Sequence, residues 1–254
     1  MSEEEPVFMF EGDDPEILSA SRLARKTFKY FWRELSWERR RIVPAIDLAM
    51  IKLPFTDGSG NTGKGENMWV DEVDFDGQRL TGVLINAPRW LTKVKEGDAV
   101  NVPFAYLEDW LMTSGELAYG GHTVNAMRLK MSEEERDGHD QAWGLDFGDP
   151  AQVRLHRHDV KETDGHFDHP MCTNMLASLK ENLSGNPGLV VDLDEDGWTM
   201  LHRESLAGNL EAVQILVERG ADPYVKTKHG LNAIELARAL QWEAVASFLE
   251  SNAD

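Results

Sequence analysis

The chain has 254 residues, and its 26 Lys plus Arg face 45 Asp plus Glu, for a formal net charge of −19 and a pI near 4.8. That acid excess argues against a generic nucleic-acid or anionic-membrane binder, because phosphate binding needs a positive footprint. With 41% hydrophobic residues and eight Trp, the composition is too apolar for a disordered acidic protein, and two folded units are expected.

Seven acidic residues, from Glu3 to Glu16, precede the first base and read as a solvated lead-in. Asp14-Pro15 then supplies a helix N-cap and a proline suited to the first helical position. At ~100° per residue, Ile17, Ala20, Ala24, Phe28, Phe31 and Leu35 share one stripe, while Arg22, Arg25, Lys26, Lys29 and Arg33 take the opposite face, so a long amphipathic helix is expected to residue 40. Strands follow at Ile46–Leu53, Met68–Phe75, Arg79–Asn86 and Ala99–Pro103, with Asp76-Gly77 as a tight hairpin turn. Gly63-Lys64-Gly65, in a glycine-rich loop, lacks the hydroxyl and the following helix of a phosphate-binding loop. Ser132 and Glu135 have capping-box spacing for a short acidic helix. The rest of 132–169 reads as a connector, with one strand at Val153–His158.

Met68-Trp69-Val70, Thr81-Gly82-Val83-Leu84, Asn86-Ala87-Pro88, Lys95-Glu96-Gly97-Asp98 and Asp109-Trp110 resemble the YegJ-like bacterial domains of unknown function, over residues 44–131. The resemblance implies a small β-rich fold with one or two helices and carries over no catalytic residues.

Gly197 and Gly230 stand 33 residues apart, as do Leu201 and Ile234, and Leu216 and Leu249. This is the ankyrin period. Asp196-Gly197-Trp198-Thr199-Met200-Leu201-His202, Gly208-Asn209-Leu210-Glu211 and Gly220-Ala221-Asp222 resemble that family's turn and helix motifs. The first copy departs from them at Met200, in the place of proline, and at Glu204-Ser205, in that of the alanine pair, and the second with Glu235 in the histidine place and Gln241 in that of glycine. Met175, Leu176, Leu179 and Leu183 look like the last helix of a degenerate earlier repeat. The resemblance implies binding of another protein through turn tips and first-helix faces, and the matching positions are Glu195, Asp196, Trp198, Leu206, Lys228, His229 and Leu231. Trp198, read as exposed, is the leading candidate among them.

The fold class expected is therefore α+β. An acidic lead-in and amphipathic helix (1–43) precede the YegJ-like β-rich domain (44–131), the connector (132–169) and a short all-α ankyrin stack (170–254).

His156, His158, His166, His169 and Cys172 form an alternative metal-ligand set, since zinc takes imidazole and thiolate. Pro170 would interrupt a helix carrying the last three, and close ligand pairs from turns are missing. A single cysteine also excludes an intramolecular disulfide, and no run approaches the ~18 apolar residues of a membrane span. The function expected is a non-enzymatic, cytoplasmic protein-binding module without metal or cofactor. Its narrower version is an inhibitor or immunity protein against a basic toxin, and the alternative is an enzyme or metal-dependent protein using residues 156–172.

Overall fold

The computed structural model describes residues 14–58, 65–158 and 166–252. The acidic lead-in before Asp14, the Gly63-Lys64 pair and residues 159–165 of the connector lie outside them. The fold is mixed α+β, in two units: Met1–Phe31, Ile42–Asp74 and Arg79–Arg157 form the first, and Trp32–Arg41, Phe75–Gln78 and His158–Asp254 the second.

Helix α1 (Pro15–Glu38) begins where the capping signal places it, with the Glu16 amide donating to the Asp14 carboxylate at 2.9 Å. In the first unit, Ala20, Ala24, Phe28 and Phe31 form its buried stripe. In the second unit Trp32, Arg33 and Glu34 are all buried. Arg33, expected on the solvated basic face, is only 2% exposed.

Among the described residues six strands make one antiparallel sheet: β1 (Leu48–Thr56), β2 (Gly65–Phe75), β3 (Arg79–Leu84), β4 (Ala99–Pro103), β5 (Asp109–Ser114) and β6 (Leu117–Gly120), in the order β4-β3-β2-β1-β5-β6. The turn after β2 is the expected one, with Gly77 at φ 96° and the Gln78 amide on the Asp76 carboxylate. Strands β5 and β6 go beyond the four expected. Asp109–Thr113 is buried at every position, so it shows none of the alternation that marks a half-buried strand.

In the first unit, α1 covers one sheet face, where Phe31 meets Trp110 at 5.7 Å and the Trp110 indole donates to the Ala24 carbonyl. On the opposite face, Met50, Trp69, Leu111 and Ala118 pack with Val124 of α2 (His122–Arg128) and with Phe147. Helix α3 (Glu133–Trp143) has the expected Ser132–Glu135 capping box. It lies beside this core, with His139 and Trp143 both close to Phe147. The supposed connector therefore contributes to packing. No strand forms at Val153–His158; Arg154 instead pairs with Asp146 at 3.0 Å.

Asp109, fully buried, anchors this layer. Its carboxylate accepts from the amides of Trp110, His122 and Thr123 and from the Thr123 hydroxyl, at 2.6–2.9 Å. The Lys52 ammonium reaches the same hydroxyl at 2.9 Å and lies 4.7 Å from the Trp69 ring centre. Burial pushes the Lys52 amine below its usual range, against the attraction of Asp109 and Glu108.

In the second unit, α4 (Pro170–Gly185) starts at Pro170, with His169 as its N-cap. The proline opens a helix rather than interrupting one, and His166 and His169 precede it. Helices α5 (Met200–Ala207), α6 (Leu210–Glu218), α7 (Ala233–Ala239) and α8 (Glu243–Ser251) follow. First helices and second helices each start 33 residues apart. Leu201, Leu216, Ile234 and Leu249 fill the stack as the period requires. Gly208 needs its φ of 74° and its bare Cα, because a Cβ there would lie 2.2 Å from Trp242. One repeat later Gln241 holds the same left-handed conformation, φ 56°, with a side chain.

Candidate functional site

Turn tips of the stack are built on polar turns rather than on apolar fill. The Asp194 carboxylate accepts from the Asp196 and Trp198 amides at 3.0 and 2.9 Å and from Arg203, which also reaches Asp196. Burial works against the charge of Asp194, yet the Trp198 amide and Arg203 hold its carboxyl below the usual range. His202 accepts the Thr199 amide on Nδ1, so its Nε2 carries the proton and donates to the Val225 carbonyl of the next tip at 2.8 Å. Burial lowers the pKa of His202, which favours this neutral form.

With the chain thus turned, four apolar side chains stand in water: Val191 (66% exposed), Leu193 (61%), Tyr224 (55%) and Val225 (38%). Asp192, Glu195 and Asp196 are exposed beside the first pair, and Lys226 and Lys228 beside the second. Val191 and Tyr224 occupy equivalent repeat positions 33 residues apart, a signal that was present in the sequence.

The residues expected to bind a partner divide into three groups. Glu195, Asp196 and Lys228 are exposed at the tips, with Lys228 4.0 Å from Asp196. Trp198 and Leu206 are buried at 3% and 1%, which corrects the expectation of an exposed Trp198. The indole lies under the Arg203 guanidinium, 4.6 Å away, and against the His202 ring, so the turn that shapes the tip uses it as packing. His229 and Leu231 face the hairpin tip 75–78: His229 is 3.7 Å from Asp76, and a Cβ on Gly77 would come within 2.8 Å of Leu231.

Residues 32–41 hold the helix faces of this unit. The Arg40 guanidinium meets the buried Glu204 at 2.7 Å, and Glu204 also takes a hydrogen bond from Asn209. Arg33 lies between the Phe167 and Trp242 rings, 4.0 and 4.5 Å from their centres, and donates to the Phe167 carbonyl.

The histidine-rich stretch separates. His156 lies edge-on to Tyr30 in the first unit, and His166 contacts Asp168 and Trp242 in the second. His158 and His169 converge instead on Glu34, a residue of α1 that the sequence reading did not include. Glu34 Oε1 is 3.2 Å from His169 Nε2 and 3.8 Å from His158 Nε2, and the three donor atoms all lie within 4.8 Å of one another. Trp37 stacks on His169 at 5.6 Å. The His169 Nδ1 accepts the Met171 amide, so Nε2 carries the proton shared with Glu34.

Cys172 is fully buried, and burial together with the nearby Glu204 and Asp168 carboxylates pushes its thiol far above the ordinary range. Nucleophilic attack needs the thiolate, which this burial disfavours, and Cys172 is not among the side chains that converge on Glu34.

A sheet layered between helices and a stack of 33-residue helix pairs define a two-part protein, one part of which is the ankyrin class. The family model described as an uncharacterized protein conserved in bacteria (DUF2314) matches residues 14–147, and that for ankyrin repeats (many copies) matches residues 184–237. The chain belongs to the DUF2314 family and carries ankyrin repeats. It is 44% identical to a putative ankyrin repeat protein of Neisseria meningitidis serogroup B, over 96% of each chain. It is 30% identical to the uncharacterized protein YegJ of Escherichia coli K12, over 36% of this chain and 57% of that one. The human DNA-binding protein RFXANK is 42% identical over 62 residues, 24% of each chain. Among the described residues no helix is long and apolar enough to cross a membrane.

Proposed function

We propose that the protein is a non-enzymatic binding module that holds a basic protein partner on the turn tips of its ankyrin stack. The observation that carries this reading is the exposure of Val191, Leu193, Tyr224 and Val225 at the turn tips, the first two beside the carboxylates of Asp192, Glu195 and Asp196 and the last two beside Lys226 and Lys228. Exposed apolar side chains, two of them (Val191 and Tyr224) at equivalent repeat positions, are a cost in water and gain by being covered. A net charge of −19 steers a cationic protein toward them. An inhibitor or immunity protein that covers the active surface of a basic toxin in the cytoplasm fits this chemistry. The Trp198 role proposed from sequence becomes indirect, through the shape of the tip.

The test is affinity capture from the native cell with wild type and with Leu193→Asp/Tyr224→Asp as baits, the captured protein being purified for titration. Recovery of a basic protein whose affinity falls at least 100-fold with the double variant supports the reading. Equal capture by both baits overturns it.

A further inference from the structure

We propose that Glu34, His158 and His169 form a zinc site within the second unit. The sequence-based expectation of no metal considered ligands in 156–172 alone, and the carboxylate comes instead from α1. Two imidazoles and one carboxylate are the ligand set of open zinc sites, in which three protein ligands leave a fourth position for water. The separations of 3.2 and 3.8 Å approach the ~3.3 Å between ligand atoms around a tetrahedral zinc with bonds of about 2.0–2.1 Å. Glu34 and His169 are 3% and 1% exposed, and although the His158 side chain is 32% exposed its Nε2 atom is buried with them. Trp37 against the His169 ring fixes that imidazole's plane.

Occupancy is balanced in protons. The metal replaces the proton between His169 Nε2 and Glu34 Oε1, that proton moves to Nδ1, and Nδ1 releases the Met171 amide. The buried carboxylate then faces a dication. With residues from α1, from the segment before α4 and from the α4 cap on one ion, zinc would fasten residues 32–41 to the start of the stack.

The experiment loads the full-length chain with zinc sulfate and removes loose metal by dialysis. Bound zinc is then counted by elemental analysis, and affinity is measured by competition with a chromophoric chelator. About one zinc per chain is expected, with His158→Ala weakening affinity at least 100-fold and Glu34→Gln at least 10-fold. His156→Ala, whose ring lies against Tyr30, should leave affinity unchanged. X-ray absorption of the loaded protein should show nitrogen and oxygen neighbours without sulfur. Because Glu34 is buried, the half-exposed His158 is the decisive variant, and its circular dichroism must match wild type. Equal zinc retention by wild type and a folded His158→Ala, a sulfur neighbour, or no retained zinc in wild type overturns the proposal.

Discussion

The two units hold themselves together by different means. Around the sheet, strands remote in sequence meet, and one buried carboxylate, Asp109, gathers four donors at the joint between β5 and α2. In the ankyrin stack each helix pair packs on its sequence neighbour, and polar contacts such as His202 to Val225 join one repeat to the next. The first unit buries its Asp109 cluster completely, whereas the second repeats its polar contacts along the period. That difference governs how each should fail.

The largest loss is expected at the buried cluster. Asp109→Ala leaves buried donors without an acceptor beside Lys52 and should cost about 4 kcal/mol or more in chemical denaturation. Leu216→Ala opens a cavity in one repeat and should cost about 3 kcal/mol. If Leu216→Ala proves the more damaging by a clear margin, the contrast between a fully buried polar cluster and a repeated stack is wrong.

Acid sharpens the comparison through one histidine from each unit. Burial lowers the pKa of both His122 and His202 in the fold. The unfolded chain, whose imidazoles titrate near ~6.5, binds more protons below that pH. The stabilisation that goes with the neutral rings is whole above about pH 6.5 and declines as pH falls toward their lower folded values. Thermal scans from pH 7.5 to 5 should show this fall, and His202→Gln should flatten it. An unchanged slope in that variant would remove His202 from the account.

The smallest effects concern single repeat positions. Gln241→Gly relieves a left-handed side-chain residue and should stabilise by about 0.5–1 kcal/mol. Tyr224→Ala should alter stability by no more than about 0.5 kcal/mol, as expected of an exposed position, while lowering partner affinity. Measured melting shifts outside these ranges would show that the second repeat is packed differently from the first.

Legibility followed the same division. The stack was readable because its period repeats within a short span, so Gly197 with Gly230 and Leu216 with Leu249 announced their places. Helix α1 and the turn at Asp76-Gly77 were readable from local patterns of the same kind. Strand β5 was not, since burial on both faces erases alternation. Glu34 was hidden by distance along the chain: nothing local in α1 separates a carboxylate bound for His158 and His169 from one bound for water. Trp198 misled for a third reason. Its position matched an exposed turn, but the salt-bridged Arg203 beside it closes over the indole and makes it packing.

Helix α1 contributes Phe31 to one unit and Trp32 to the next, and the tip 75–78 is divided from its own strands in the same way. A gene can exchange an ankyrin array as a cassette only if everything the array leans on travels with it. Here Trp32–Arg41 and Phe75–Gln78 are encoded far upstream, so the array beginning at Pro170 is not expected to transfer by itself. A fragment of 170–254 should melt well below the intact chain. Insertions that lengthen the β2–β3 turn or the end of α1 should be rejected during the divergence of this lineage, even where the surrounding surface loops accept them.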